Sequence, residues 1–169
     1  MTAVLAIVTA ALTVSACAVS LDVTELERDE LLEIHSAFEA IVEEAHADPD
    51  IRWESGWIGN ISVNESTEGA HRGLCYEWQE LVFARIAPAV ERVGWEAVRI
   101  NINVGHFNEH HAVLVWDPAD VTRDDILDAD DPPAWVLDAW NSGEAEIFPL
   151  RGWIDGQALV FTPAAFELP

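Results

Sequence analysis

The sequence predicts an α+β domain in which helices come first and an antiparallel sheet follows. Three observations carry this. Before residue 94 the apolar residues recur at a 3.6-residue period in two long stretches. From Glu96 onward the pattern changes to alternation and to short apolar runs bounded by turn residues. Between these regimes stands Arg72-Gly73-Leu74-Cys75-Tyr76-Glu77-Trp78, where a glycine turn delivers a cysteine to the start of the second helix. A length of 169 residues fits one domain with an N-terminal appendage.

Taken in order, residues 1–16 read as a leader and 17–23 as a tether. Met1 to Cys17 is apolar from Ala3 onward, too short for a membrane span but suited to the apolar region of a secretory signal. Thr24-Glu25-Leu26-Glu27 carries a capping-box pattern. A helix from there to about Ala47 would bury Leu31, Ile34, Phe38, Ile41 and Ala45, with Asp48-Pro49-Asp50 ending it. His35 and His46 flank that face as half-exposed helix residues. Residues 51–72 mix Trp53, Trp57, Ile58 and Ile61 with glycines and asparagines, and predict a loop-rich wall.

The second helix runs from Cys75 to about Val93. It buries Trp78, Leu81, Val82, Ile86, Ala89 and Val90, and stops at Gly94. Pro88, inside it, predicts a kink or a second segment. Strands are expected at Glu96–Val104, at His111–Trp116, at Trp135–Trp140, at Glu146–Leu150 and at Ala158–Thr162, with 119–133 as an acidic surface excursion.

Composition narrows the partners. The formal net charge is −23, from 31 acidic residues against eight arginines and no lysine. Such a surface lacks the basic face that phosphate neutralisation requires, so nucleic acid is excluded as a partner. It also suits a high-salt environment, where screening shortens self-repulsion. Eight tryptophans supply large core surfaces.

Cys75 in the first turn of a helix faces unpaired N–H groups and the positive end of the macrodipole, both of which favour thiolate over thiol. The alternative role is a buried structural cysteine. A sulfur nucleophile needs a base and an orienting group. His111 opens the run Ala112-Val113-Leu114-Val115-Trp116, and Asp138 closes Trp135-Val136-Leu137. A helix packed on the sheet would bring both to Cys75. Asn141 is the alternative orienter. Cys75, His111 and Asp138 are therefore the expected catalytic residues. No cofactor is implied.

At these residues the chain resembles the papain-like and transglutaminase-like superfamily of cysteine enzymes. The matching pieces are Gly73-Leu74-Cys75-Tyr76-Glu77-Trp78, His111-Ala112-Val113 and Val136-Leu137-Asp138-Ala139-Trp140, within Gly73 to Trp153. The resemblance implies hydrolysis or acyl transfer at a peptide or amide bond through an acyl-enzyme. Cys75 would be the nucleophile, His111 the acid and base, and Asp138 the orienter. No glutamine lies between Gly56 and Leu74, so the oxyanion hole falls to the Cys75 N–H with Trp57 or Asn60. Trp140 would shield the triad from water. Separately, Leu12-Thr13-Val14-Ser15-Ala16-Cys17 resembles the lipobox of bacterial lipoproteins. That implies lipidation of Cys17, a membrane anchor and an extracytoplasmic location, and it leaves Cys75 as the free thiol.

Two other functions compete. One is a non-catalytic binding module on the same fold. The other is a metal site drawing on His106, Glu109, His110 and His111, with His71 or Cys75. Neighbouring histidines on an extended chain point to opposite sides, which disfavours the metal. It also leaves His110 as a rim or structural residue in this reading.

Overall fold

In a computed structural model, described over residues 19–65, 70–126, 128–157 and 166–167, the chain is α+β with two sheets. Asp22 and Glu25 exchange capping-box bonds around a 3-10 turn at Val23–Glu25. The first long helix, α1, therefore begins later than the Thr24 pattern predicts, at Asp29, and ends at Ala47 as expected. Its buried face holds Leu31, Ile34, Phe38, Ile41, Val42 and Ala45. The second long helix, here α3, spans Cys75–Val93 and closes on Gly94 in the left-handed region. It passes through Pro88 as one helix. Burial of Ile86, Ala89 and Val90 around the proline offsets the backbone bond it cannot make.

Residues 51–72 are more ordered than their composition suggests. They form strand β1 (Ile51–Trp53), helix α2 (Gly56–Glu65) and strand β2 (Ala70–Arg72), with β1 and β2 paired in parallel. Two glycines and two asparagines lower helix propensity here, and tertiary bonds override it. Gly56 N–H donates to the Trp140 carbonyl at 2.6 Å, and Trp140 Nε1–H donates to Asn60 Oδ1 at 3.0 Å.

The main sheet is an antiparallel meander. It comprises β3 (Glu96–Ile102), β4 (His110–Trp116), β5 (Ala134–Asp138) and β6 (Glu146–Pro149), with β7 (Phe166–Glu167) added outside β3. The order is β6-β5-β4-β3-β7. The strand expected at Ala158–Thr162 lies outside the described residues, as does Cys17. Helix α4 (Leu150–Gln157) follows β6 directly and was not legible in the sequence.

Both faces of this sheet are covered. Val113, Val115, Leu137 and Ile147 face α1 and α3 in one core. Ala112, Leu114, Trp116, Val136 and Phe148 face α4 in a second. The acidic excursion contributes to that second core: Val121 and Ile126 are buried in it, so 119–133 is anchored rather than purely superficial. Among the described residues no helix is long and apolar enough to cross a membrane.

Candidate active site

The turn before α3 is shaped by Gly73. Its φ of +138° lies where only glycine is comfortable, and a Cβ there would sit 2.2 Å from the Glu54 carbonyl oxygen. That same carbonyl accepts the indole N–H of Trp78 at 2.8 Å. Glu77, in the first turn, accepts N–H bonds from Gly73 and Leu74 at 2.8 and 3.1 Å. The carboxylate thus occupies the positive end of the helix. Together these contacts fix the position of half-buried Cys75 at the first residue of α3.

The histidine that meets Asp138 is His110, not His111. His110 Nε2 lies 2.6 Å from Asp138 Oδ2, and both side chains are nearly inaccessible. The reason is strand parity. In the β4–β5 register Val113 pairs with Leu137 and Leu114 with Val136, which sets Asp138 opposite Ala112. Residues two apart share a face, so Ala112, His110 and Asp138 point the same way. His111 points to the other face. There its ring meets Tyr76 edge-on at 6.4 Å and its Nε2 lies 2.7 Å from Glu109 Oε1.

Asp138 is fully engaged. Oδ2 also accepts the indole N–H of Trp153 at 2.8 Å, and Oδ1 accepts the backbone N–H of Trp140 at 3.0 Å. Burial alone would raise its pKa, but the His110 charge and these donors hold it below the ordinary carboxylate value. Burial likewise works against a charged His110 ring. Asp138 outweighs it by charge and hydrogen bond, with a further pull from Cys75, and the ring is pushed up from 6.5 to about 9. The imidazole lies between Trp140 and Trp153, with centroids 4.8 and 5.4 Å away.

With Nε2 committed to Asp138, Nδ1 is left for the sulfur. Cys75 lies near enough to favour the charged His110 ring, and His110 Nδ1 has no hydrogen-bond partner among the described residues. The thiol also points toward the Glu109 carbonyl, at 3.9 Å.

The supporting residues divide. Trp140 packs on the His110 ring and takes Trp57 edge-on at 5.9 Å. Asn60 Oδ1 is used by the Trp140 indole, so Asn60 braces Trp140. Asn141 is exposed, and Asp138 holds the ring in its place. Gln79, unremarked in the sequence, is buried in α3, and its amide N–H group reaches the Ile100 and Ala112 carbonyls at 3.0 and 2.7 Å. It ties α3 to β4 two residues beyond His110.

A cavity of about 240 Å³ opens beside His110 and Trp140, lined also by Trp57, Phe107, Asn108, Glu109, Gly156 and Gln157. A larger one, about 730 Å³, lies between α1 and residues 143–146 and contains none of Cys75, His110 and Asp138. Among the described residues no group of three His, Cys, Asp or Glu side chains is arranged to hold a metal ion. No family model, curated protein or solved structure matches the chain.

Proposed function

We propose that the chain is a thiol-dependent enzyme acting on peptide or amide bonds by hydrolysis or acyl transfer, in the manner of papain-like and transglutaminase-like enzymes. Cys75 is the nucleophile, His110 the acid and base, and Asp138 the orienter. The observation that carries this is the buried Asp138–His110 pair, which lies near a cysteine at a helix N-terminus. A structural cysteine needs no such pair beside it. Burying an imidazole and a carboxylate is costly unless each is fully paired.

The chemistry follows from the geometry. Cys75 attacks as the thiolate, and a C–S bond forms to the carbonyl carbon. The oxygen becomes an oxyanion beside the backbone N–H of Cys75 at the start of α3. As the C–N bond breaks, His110 gives its proton to the leaving amine. His110 then takes a proton from water, or from an acceptor amine, as that nucleophile attacks the thioester and the C–S bond breaks. Asp138 keeps the ring in one tautomer and stabilises its charge throughout.

Alkylation of Cys75 by iodoacetamide, followed by mass spectrometry, tests this. Cys75 should react faster than glutathione at neutral pH, and His110→Ala should slow it by about tenfold or more. Reaction at the glutathione rate, indifferent to His110, would remove the proposal. On the same basis the lipid anchor at Cys17 is proposed from its lipobox resemblance alone, and globomycin-sensitive processing would test it.

A further inference from the structure

We propose that the cavity beside His110 is a subsite for a bulky apolar side chain joined to a peptide-type amide. This deepens the thiol–amide function proposed above, and rests on it, by naming the substrate class: peptides or N-acyl amines with an aromatic or large aliphatic group next to the reacting amide.

The cavity is continuous with the proposed machinery, because His110 and Trp140 form part of its wall. At about 240 Å³ it has room for one large side chain and not for a folded partner. Two of its walls are aromatic faces left in water: Trp57 is 58 % exposed and Phe107 77 % exposed. Large apolar surface kept exposed beside a concave site marks a binding surface.

Phe107 is not exposed because its turn is loose. Asn103 and Gly105 hold left-handed φ values of +53° and +80°. His106 N–H donates to the Asn103 carbonyl at 2.9 Å, and Gly105 N–H donates to Glu109 Oε2 at 2.6 Å. The turn is braced, and it presents the ring outward.

A buried carboxamide at the edge of the cavity points to what the apolar group is attached to. Both polar atoms of the Asn108 carboxamide are buried, yet neither has a partner among the described residues. Buried polar atoms are normally satisfied. A carboxamide offers one acceptor and a pair of donors, which matches the N–H and C=O of a peptide group. An aromatic slot with an unsatisfied amide at its side is thus complementary to a side chain and its own backbone amide together.

The test uses the full chain and three reagents: iodoacetamide, N-benzyl iodoacetamide and N-phenethyl iodoacetamide. Rates at Cys75 are read by peptide mass spectrometry and divided by each reagent's rate with glutathione. At least one aromatic reagent should label Cys75 tenfold or more faster than iodoacetamide, with saturation. Phe107→Ala and Asn108→Leu should each reduce that ratio several-fold, whereas Phe107→Leu should retain most of it. A ratio near one in the parent chain, or a ratio unmoved by both substitutions, overturns the subsite while fast iodoacetamide labelling preserves the thiol function. Slow labelling by all three reagents removes the function, and the subsite with it.

Discussion

His110 and His111 adjoin in sequence and differ in every physical respect. One is buried, paired to a buried carboxylate and flanked by two indoles; the other is half-buried against Tyr76 and Glu109. His110→Ala should therefore reduce turnover by at least about 100-fold, the usual share of general acid–base catalysis. His111→Ala should cost less than about tenfold, and a steady-state assay on any cleaved amide distinguishes them. The sequence reading favoured His111 over His110 for a definite reason. Ala112 to Trp116 is buried on both faces, so there is no polar alternation to fix which histidine shares the face of Asp138. The pairing register supplies that, and a register is a tertiary fact. Asp138 itself could be singled out, because a lone acid closing an apolar strand stands apart. Asn108 gave no signal at all, since its distinguishing feature is a carboxamide without a partner among the described residues.

The charge state of His110 also has a sign that can be followed. The folded ring binds its proton more tightly than an unfolded one, so the contribution of the pair to stability is complete below about pH 6.5 and fades as pH climbs through about 9. Asp138 acts in the opposite direction. Its contribution is present above the unfolded value of 3.8 and is lost as pH falls through its depressed value. Urea midpoints measured across pH should form a plateau with an alkaline shoulder that His110→Gln removes. Turnover of an unactivated amide should fall over the same alkaline range, because the leaving amine needs the proton of the imidazolium. Alkylation by iodoacetamide needs no proton and should not fall there.

At the level of elements, the start of α3 depends on a close approach that leaves no room for a side chain. Gly73→Ala combines a contact of 2.2 Å with an unfavourable φ and should cost at least about 2 kcal/mol. Glu77→Ala removes the acceptor of two backbone N–H groups and should cost about 1 kcal/mol. Both are measurable by denaturant unfolding, and both should displace the sulfur. The two long helices and four strands were readable because their apolar spacing is regular. Helix α2 was not, since Gly56, Gly59, Asn60 and Asn64 argue for a loop and its stability comes from Trp140, 80 residues away from Asn60. Helix α4 was missed because Gly152 and Gly156 lower its propensity, while burial of Leu150, Trp153 and Ile154 supports it.

The whole molecule carries a net charge of −23, and its few arginines are spent on local pairs such as Arg28 with Asp117 and Arg85 with Glu44. Self-repulsion among the remaining carboxylates is long-ranged in dilute buffer and is screened within about 3 Å at 1 M salt. The melting temperature should therefore rise between 0.1 and 1 M sodium chloride. A melting temperature that fell over this range would show that the specific pairs outweigh the net repulsion.

The placement of His110 between Trp140 of one core and Trp153 of the other ties the chemistry to both layers at once. The sulfur is delivered from the α3 side of the sheet, and the indole bond to Asp138 comes from the α4 side. Partial openings that peel away a short outer element need less free energy than global unfolding. A brief detachment of α4 would leave α3 and its thiol in place but strip the carboxylate of one donor and the ring of one wall. On warming, loss of turnover should accordingly precede the cooperative melt, with amides of α4 exchanging hydrogen for deuterium earlier than those of β4.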